Sequence, residues 1–298
     1  MDAGDIATAL AALVALYLGS VAITVGAGVA FCAWAERRYR AALPLDDAPT
    51  SGPARARASP FARARGLVVE IVCQAFALVL RGAHQLRLLP PPRIPSSGTP
   101  VLLLPGYVEN AGTMWWLARR LARAGFRTVL IEFPSTTCAI EQNVGYLARR
   151  VAEISADSGG SPLAVVAHSM GGVITRTLML SREDHGVLTL VALGSPFRGT
   201  HLARIGARLR FGHCVGQIVP GSTFLERFPP TLPCPVPTLS LIAPQENIVS
   251  PLWSAAIAGA HMRVLAEPYG HEAPLFVSSV ADDVAAWLLA HGVTRATD

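Results

Sequence analysis

Residues 165–174, "VVAHSMGGVI", decide how the rest of the chain is interpreted. A short apolar run leads to Ser169, and a glycine pair with further apolar residues follows it. The pattern G-x-S-x-G is typical of a sharp strand-to-helix turn that lifts a serine above a sheet. Alanine stands at the first position here, and it adds only one methyl group where the strand and helix backbones come close. We therefore predict that Ser169 is a nucleophile at such a turn. The residues predicted to support the turn are Ala167, His168, Gly171 and Gly172.

From Thr99 onward, short apolar and β-branched runs alternate with helical segments. This alternation predicts an α/β fold, a mainly parallel sheet of about six strands with helices on both faces. The predicted strands are 101–104, 128–133, 163–167, 188–193, 238–242 and 262–265. The predicted helices lie near 113–124, 140–156, 170–180 and 274–290. Ser169 then lies at the C-terminal end of the third strand, where open α/β sheets carry their chemistry.

A nucleophilic serine needs a base to take its proton and a carboxylate to orient that base. His271 stands in "EPYGHEAPLF", on a loop between the last predicted strand and the final helix. Glu246 follows the preceding predicted strand in "TLSLIAPQENIVSPLW". Both loops leave the same edge of the sheet as Ser169, so we predict His271 as the base and Glu246 as the acid. Glu132, at the end of the second predicted strand, is the alternative acid.

Two backbone N–H groups must face the negative charge that develops on a carbonyl oxygen under attack. Met170, directly after the serine, supplies one of them at the start of its helix. The loop after the first strand, "LLLPGYVENAG", supplies the other, and we predict that it is the N–H of Tyr107. Gly106 allows the tight turn that this loop requires.

Five motifs in order, "LLLPGY", "AHSMGG", "LGSPFRGTHLA", "ENIVSP" and "GHEAPLF", resemble the bacterial lipase/esterase family of the α/β hydrolases over about residues 99–291. The chain departs from the family pattern at Pro105, where histidine is usual, and at Glu246, where aspartate is usual. The resemblance implies hydrolysis of carboxylic esters through an acyl-enzyme formed on Ser169. It implies no cofactor, and we see no carboxylate cluster for a metal. An acyltransferase or thioesterase with the same triad is the alternative enzyme, and a non-catalytic binding module tethered to a membrane is the alternative outside enzymes.

The N-terminal third predicts membrane attachment. No residue from Ile6 to Ala35 carries a charge, which is long enough for a spanning helix. A signal peptide is the alternative, but the residues before this run include two aspartates and no basic side chain. An arginine-rich segment follows, at Arg37, Arg38, Arg40, Arg55, Arg57, Arg63 and Arg65. A second apolar run at 67–80 contains Glu70 and Gln74 and is short for a span, so the side of the membrane stays open. We expect an anchor at 1–36, a basic loop, second helix and proline-rich linker at 37–98, and a catalytic domain at 99–298, attached to the bacterial inner membrane.

Composition limits the partners. The 298 residues have a formal charge of +5 and no lysine, and the arginines form no stripe with aromatic residues between them, so nucleic-acid binding is excluded. We expect a lipid or other ester as the substrate, under a small cap formed by residues 200–235. The apolar residues assigned to that cap are Ile218, Val219, Phe224 and Leu225. The sequence leaves two points open, the oligomeric state and the pairing of Cys214 with Cys234.

Overall fold

The computed structural model describes residues 3–39, 58–91 and 97–296. Arg40, Arg55, Arg57 and most of the proline-rich segment lie outside these ranges. The helices are α1 (Ala3–Tyr39), α2 (Pro60–Gln85), α3 (Ala111–Arg123), α4 (Ile140–Ala156), α5 (Met170–Ser181), α6 (Leu202–Arg208), α7 (His213–Gln217), α8 (Thr223–Arg227) and α9 (Ser278–Ala290). The strands are β1 (Pro100–Leu104), β2 (Arg127–Leu130), β3 (Leu163–His168), β4 (Val187–Leu193), β5 (Thr238–Ile242) and β6 (His261–Val264). Two 3-10 turns cover Leu252–Ala255 and Ala273–Leu275.

The strands form one parallel sheet in the order β2-β1-β3-β4-β5-β6. Every residue of β1 and β3 is buried, as expected for central strands with helices on both faces. One apolar cluster packs α4 and α5 against one face, and a second packs α3 and α9 against the other. The predicted α/β fold is confirmed.

Two predicted boundaries differ from the structure by three residues or more. The second strand ends at Leu130, three residues early, although the N–H of Ile131 still donates to the carbonyl of Leu103 at 3.0 Å. The predicted helix 274–290 is divided into a 3-10 turn and α9, because Val277 adopts an extended conformation (φ −95°, ψ 124°) between them.

The predicted cap, residues 200–235, forms the three short helices α6, α7 and α8. Phe224 and Leu225 are buried in the apolar cluster beneath α4 and α5. Ile218 belongs to the same cluster and also lines the cavity at Ser169 described below. Cys214 and Cys234 are free thiols in the structure.

Helix α2 is longer than its predicted apolar run and lies against α3 and the 3-10 turn Ala273–Leu275. Ser59 caps its first turn by accepting the N–H of Ala62 at 3.1 Å. Its buried residues form a stripe with helical spacing, which includes Gly66, Glu70, Cys73, Ala77 and Leu80. The opposite side exposes large apolar side chains, namely Phe61, Val68, Val72, Phe76 and Val79. By length and composition, both α2 and residues 15–39 of α1 could cross a membrane.

Candidate active site

Ser169 stands alone between a strand and a helix, because β3 ends at His168 and α5 begins at Met170. Its backbone has φ 49° and ψ −121°, a conformation that side-chain-bearing residues rarely adopt. The N–H of Ser169 donates to the carbonyl of Leu193 at 2.9 Å, which fixes the turn to the end of β4. The structure thus places Ser169 in the predicted turn. Such backbone strain is typical of functional sites.

The predicted supporting residues crowd around this turn. Ala167 is fully buried between Leu104 of β1 and Ala192 of β4. A Cβ atom on Gly171 would lie 2.7 Å from the carbonyl oxygen of Pro105. A Cβ atom on Gly106 would lie 2.8 Å from the Cβ of Ser169, and one on Gly172 would collide with Ser195. The serine can approach the first loop this closely only because these positions lack side chains.

His271 and Glu246 are in direct contact. His271 Nδ1 lies 2.9 Å from one carboxylate oxygen of Glu246 and 3.0 Å from the other. The Oε1 atom of Glu246 also accepts the N–H groups of Asn247, Ile248 and Val249, at 3.0, 2.9 and 3.2 Å. The N–H of His271 donates to Oδ1 of Asn247 at 2.9 Å, so the two loops are tied together in two places.

Glu132, the alternative acid, lies elsewhere. Its carboxylate accepts the N–H of Ala111 at 2.7 Å and lies 3.2 Å from Nε2 of His84. It therefore belongs to the N-terminus of α3, where a negative charge is stabilised by the helix dipole. Of the two carboxylates considered from the sequence, Glu246 is the one beside His271.

Both members of this pair are buried, and their charges stabilise each other. Burial alone would raise the pKa of Glu246, but His271 and the backbone N–H groups together hold that pKa below its ordinary value. Burial alone would lower the pKa of His271, yet Glu246 raises it above its ordinary value. The arrangement favours an ionised carboxylate that holds the Nδ1–H of the ring and leaves Nε2 to act as a base.

The loop after β1 and the start of α5 meet at an apolar cavity of about 280 Å³. Tyr107, Ser169 and Met170 lie on its wall, which is completed mainly by apolar side chains from α6, α7 and the loop after Glu246. The hydroxyl of Tyr107 donates to the carbonyl oxygen of Phe211, so the loop after β1 is bonded to the segment between α6 and α7. The structure therefore places Tyr107 and Met170, the two residues predicted to supply N–H donors, on the wall of the cavity that holds Ser169.

A second histidine–glutamate pair lies beside the first, and the local sequence does not predict it. Nδ1 of His168 lies 2.8 Å from Oε1 of Glu109, and its Nε2 lies 3.2 Å from the carbonyl oxygen of His271. Because both ring nitrogens face acceptors, both carry protons and the ring is an imidazolium. Burial opposes that charge, but Glu109 raises the pKa of His168 to about 10. The other oxygen of Glu109 accepts the N–H of Gly106 at 2.6 Å.

This pair joins three segments of the site. They are the end of β3 before Ser169, the loop of Gly106 and Tyr107, and the loop of His271. The sequence alone predicts His168 only as a support of the turn. Nothing in the local sequence around Glu109 marks it as a partner, because the contact joins residues 59 positions apart.

Glu272 completes the buried cluster. Its Oε2 is buried without a hydrogen-bond partner among the described residues. Burial, followed by the charge of Glu109, raises the pKa of Glu272 to about 8, so this carboxyl group is protonated at neutral pH. Glu109, His168 and Glu272 place one potential metal ligand each within 4.8 Å of one another. The direct 2.8 Å bond between His168 and Glu109 is the geometry of an ion pair, so we assign the cluster no metal.

The N-terminal helices also contact the segments that surround this site. A Cβ atom on Gly28 of α1 would collide with the carbonyl oxygen of Asn247. Further along α1, Glu36 accepts the N–H of Leu252 at 2.8 Å. The ring of Tyr39 stacks on His201, with ring centroids 3.7 Å apart.

Helix α2 in turn contacts the loop that carries His271, through Glu70. These contacts join residues far apart in the sequence, so the local sequence predicts only an anchor and a linker in residues 1–98.

Comparisons with known proteins agree with this architecture. Residues 99–221 match the family model described as the alpha/beta hydrolase fold. No curated protein matches the sequence. Lipase B of Aspergillus fumigatus is similar in structure at 21% identity and a TM-score of 0.53, over 67% of this chain and 54% of that one. The mature lipase BlEst2 of Bacillus licheniformis is similar at 17% identity and a TM-score of 0.54, over 67% of this chain and 94% of that one.

At these identities the likeness establishes the fold and not the substrate. The chain spans only about half of the Aspergillus fumigatus lipase. The parallel sheet, the turn at Ser169 and the family match nevertheless agree with one another. On this evidence the chain has the α/β-hydrolase fold.

Proposed function

We propose that this protein is a serine hydrolase that cleaves carboxylic esters with an apolar acyl group. The observation that carries the proposal is the contact between His271 and Glu246, on loops at the same sheet edge as the strained turn of Ser169. A serine, a histidine and a carboxylate in this chain order are the parts that acyl transfer requires in this fold.

In the proposed reaction, Nε2 of His271 takes the proton of the Ser169 hydroxyl as its oxygen attacks the ester carbonyl. The N–H groups of Tyr107 and Met170 donate to the oxyanion that forms. His271 then gives its proton to the leaving alcohol, and an acyl group remains on Ser169. Water, deprotonated by His271, attacks this acyl group and releases the acid and the free serine. Glu246 holds the Nδ1–H of the ring throughout and stabilises its charged form.

The cavity supports an acyl substrate. Its wall is almost entirely apolar, and its volume of about 280 Å³ is at the lower end of small-molecule sites. Such a space takes one acyl chain and not a whole multi-chain lipid. Ile205 and Phe211 are 44% and 55% exposed at its edge, so an apolar chain can enter beside them.

The exposed apolar sides of α1 and α2 support attachment to a membrane. Leu16 and Ile23 of α1 are more than 70% exposed, and Phe61 of α2 is 80% exposed. Uncovered apolar surface of this extent marks an interaction site in a soluble protein. We propose that a bilayer covers it, which would place an esterase beside its lipid substrates.

Hydrolysis of p-nitrophenyl butyrate and octanoate by the full chain in detergent tests the reaction. We expect turnover of both esters, release of free acid, and labelling by a fluorophosphonate probe. Ser169→Ala should lose both turnover and labelling while it keeps the thermal unfolding temperature of the wild type. A folded wild-type protein that neither labels nor cleaves any ester would contradict the proposal and favour a binding module.

A further inference from the structure

Helix α2 carries one buried carboxylate, and it binds the loop of His271. Oε1 of Glu70 accepts the N–H of Glu272, and Oε2 accepts the N–H of Ala273, both at 3.0 Å. Glu70 is only 1% exposed. A Cβ atom on Gly270 would collide with this carboxyl group, so residues on both sides of His271 lie against Glu70.

Side-chain oxygens thus accept hydrogen bonds from three successive N–H groups of this loop. The N–H of His271 donates to the side chain of Asn247, and the next two donate to Glu70. Asn247 belongs to the loop of the acid, whereas Glu70 belongs to a helix some 200 residues earlier in the chain, at a separation of 202 positions from Glu272. The position of the His271 backbone is therefore set from two sides, and α2 supplies one of them.

Close packing also keeps α2 in register with this loop, since a Cβ atom on Gly66 would collide with the carbonyl oxygen of Pro268. Arg65 and Glu267 form an exposed ion pair at the same contact, which contributes little to its stability. The remaining buried residues of the stripe, Cys73, Ala77 and Leu80, are apolar or weakly polar. A carboxylate in that stripe has a large desolvation cost, which hydrogen bonds to the loop offset. Packing alone would be better satisfied by an apolar side chain.

We propose that Glu70 is a positioning residue for His271, so that the apolar N-terminal helices form part of the active site. The inference rests on the proposed ester hydrolysis. Glu70 lies outside the wall of the acyl cavity. Loss of its two hydrogen bonds should therefore misplace His271 relative to Ser169 without weakening the binding of the acyl chain.

The test compares Glu70→Gln with Glu267→Gln in the full chain in detergent, with p-nitrophenyl octanoate as the substrate. The glutamine amide can accept one of the two N–H groups but turns a donor toward the other. Glu267→Gln removes an exposed carboxylate from the same α2–loop contact and serves as the matched control. Active sites are titrated with the fluorophosphonate probe, so that kcat refers to folded, labelled protein only.

We expect Glu70→Gln to lower kcat by about tenfold or more, because small displacements of a catalytic group are costly. KM should change by less than about twofold, since acyl binding is retained. Glu267→Gln should match the wild type in both. Equal kcat per active site in Glu70→Gln and wild type would overturn the inference, whereas an inactive wild type would instead overturn the proposed function.

A second variant covers the case in which Glu70→Gln does not fold. Glu70→Asp keeps both acceptor oxygens but is shorter by one methylene, so its hydrogen bonds to the loop lengthen. We expect a smaller loss, about threefold or more in kcat, with KM again retained. A folded Glu70→Asp protein with wild-type kcat would also overturn the inference.

Discussion

The imidazole rings of His168 and His271 lie side by side, with their centroids 4.6 Å apart and their planes inclined by 49°. Each ring has its own buried glutamate, Glu109 for His168 and Glu246 for His271. The pairs differ in their remaining contacts, since the second nitrogen of His168 also faces an acceptor. One ring is therefore a fixed cation, and the other is suited to gain and lose a proton.

Replacement of Glu246 tests the assignment of the acid. Glu246→Gln keeps the shape of the side chain but removes the charge that orients and stabilises the His271 ring. We expect kcat for p-nitrophenyl octanoate to fall by about a thousandfold or more, as for other triad acids. Glu132→Gln is the control, and its kcat should stay near that of the wild type. A larger loss of kcat in Glu132→Gln than in Glu246→Gln would instead identify Glu132 as the acid.

The pH dependence of hydrolysis should respond to His168. His271 must be neutral to act as a base, so activity falls as the pH drops through its pKa, which Glu246 raises above the ordinary value. The charge of His168 works in the opposite direction and lowers that pKa. His168→Gln removes this positive charge, while Glu246 continues to raise the pKa of His271.

We therefore expect the acid limb of the kcat/KM profile to move to higher pH in His168→Gln. Measurement from pH 5 to pH 9 with p-nitrophenyl butyrate gives the shift. An acid limb that stays at the pH of the wild type would show that the ring of His168 is not charged.

The raised pKa of Glu272 predicts that the difference in stability between Glu272→Gln and the wild type grows with pH. Its pKa is raised from 4.5 to about 8 in the folded protein, so the folded state holds a proton that the unfolded state releases. The stability associated with this proton is present at low pH and is lost as the pH rises through that interval, by at most about 1.4 kcal/mol per pH unit. Glu272→Gln removes this titration, so its advantage in unfolding temperature should increase from pH 5 to pH 8. The exposed Glu267→Gln should show no such trend.

The length of the acyl chain should be limited by α6. Ala203 is buried on the cavity wall, and Ala207, one turn later, faces a different cavity. Burial of a methylene contributes about 0.8 kcal/mol, so the wild type should prefer octanoate to butyrate. Ala203→Leu fills part of the cavity and should reverse or abolish this preference, while Ala207→Leu should keep it. Equal preferences in the two variants would place the acyl chain elsewhere.

Much of this arrangement can be predicted from local sequence. The strands are short apolar runs with recognisable ends, and the predicted helix 140–156 coincides with α4. Ser169, Glu246 and His271 could be named because each follows a strand at the same sheet edge. Their partners could not, because Glu109, Glu272 and Glu70 act through contacts that only the folded chain creates.

Glu70 illustrates the difference most clearly. In the sequence it interrupts an apolar run and counts against a membrane span. In the structure it lies on the buried side of α2, where its charge meets two N–H groups of a distant loop. Periodicity predicts the helix, but it cannot identify what the buried face binds.

The contact between Glu70 and the loop of His271 also sets an order of events during synthesis. At roughly 5–20 residues per second, the ribosome makes the second partner about 10–40 s after the first. During that interval Glu70 has no loop to bind, so its carboxylate lacks the two N–H donors that it has in the folded protein. The proposed hydrolytic centre can therefore assemble only after the loop of His271 has been translated, and a nascent chain stalled before residue 271 carries Ser169 without its proposed base.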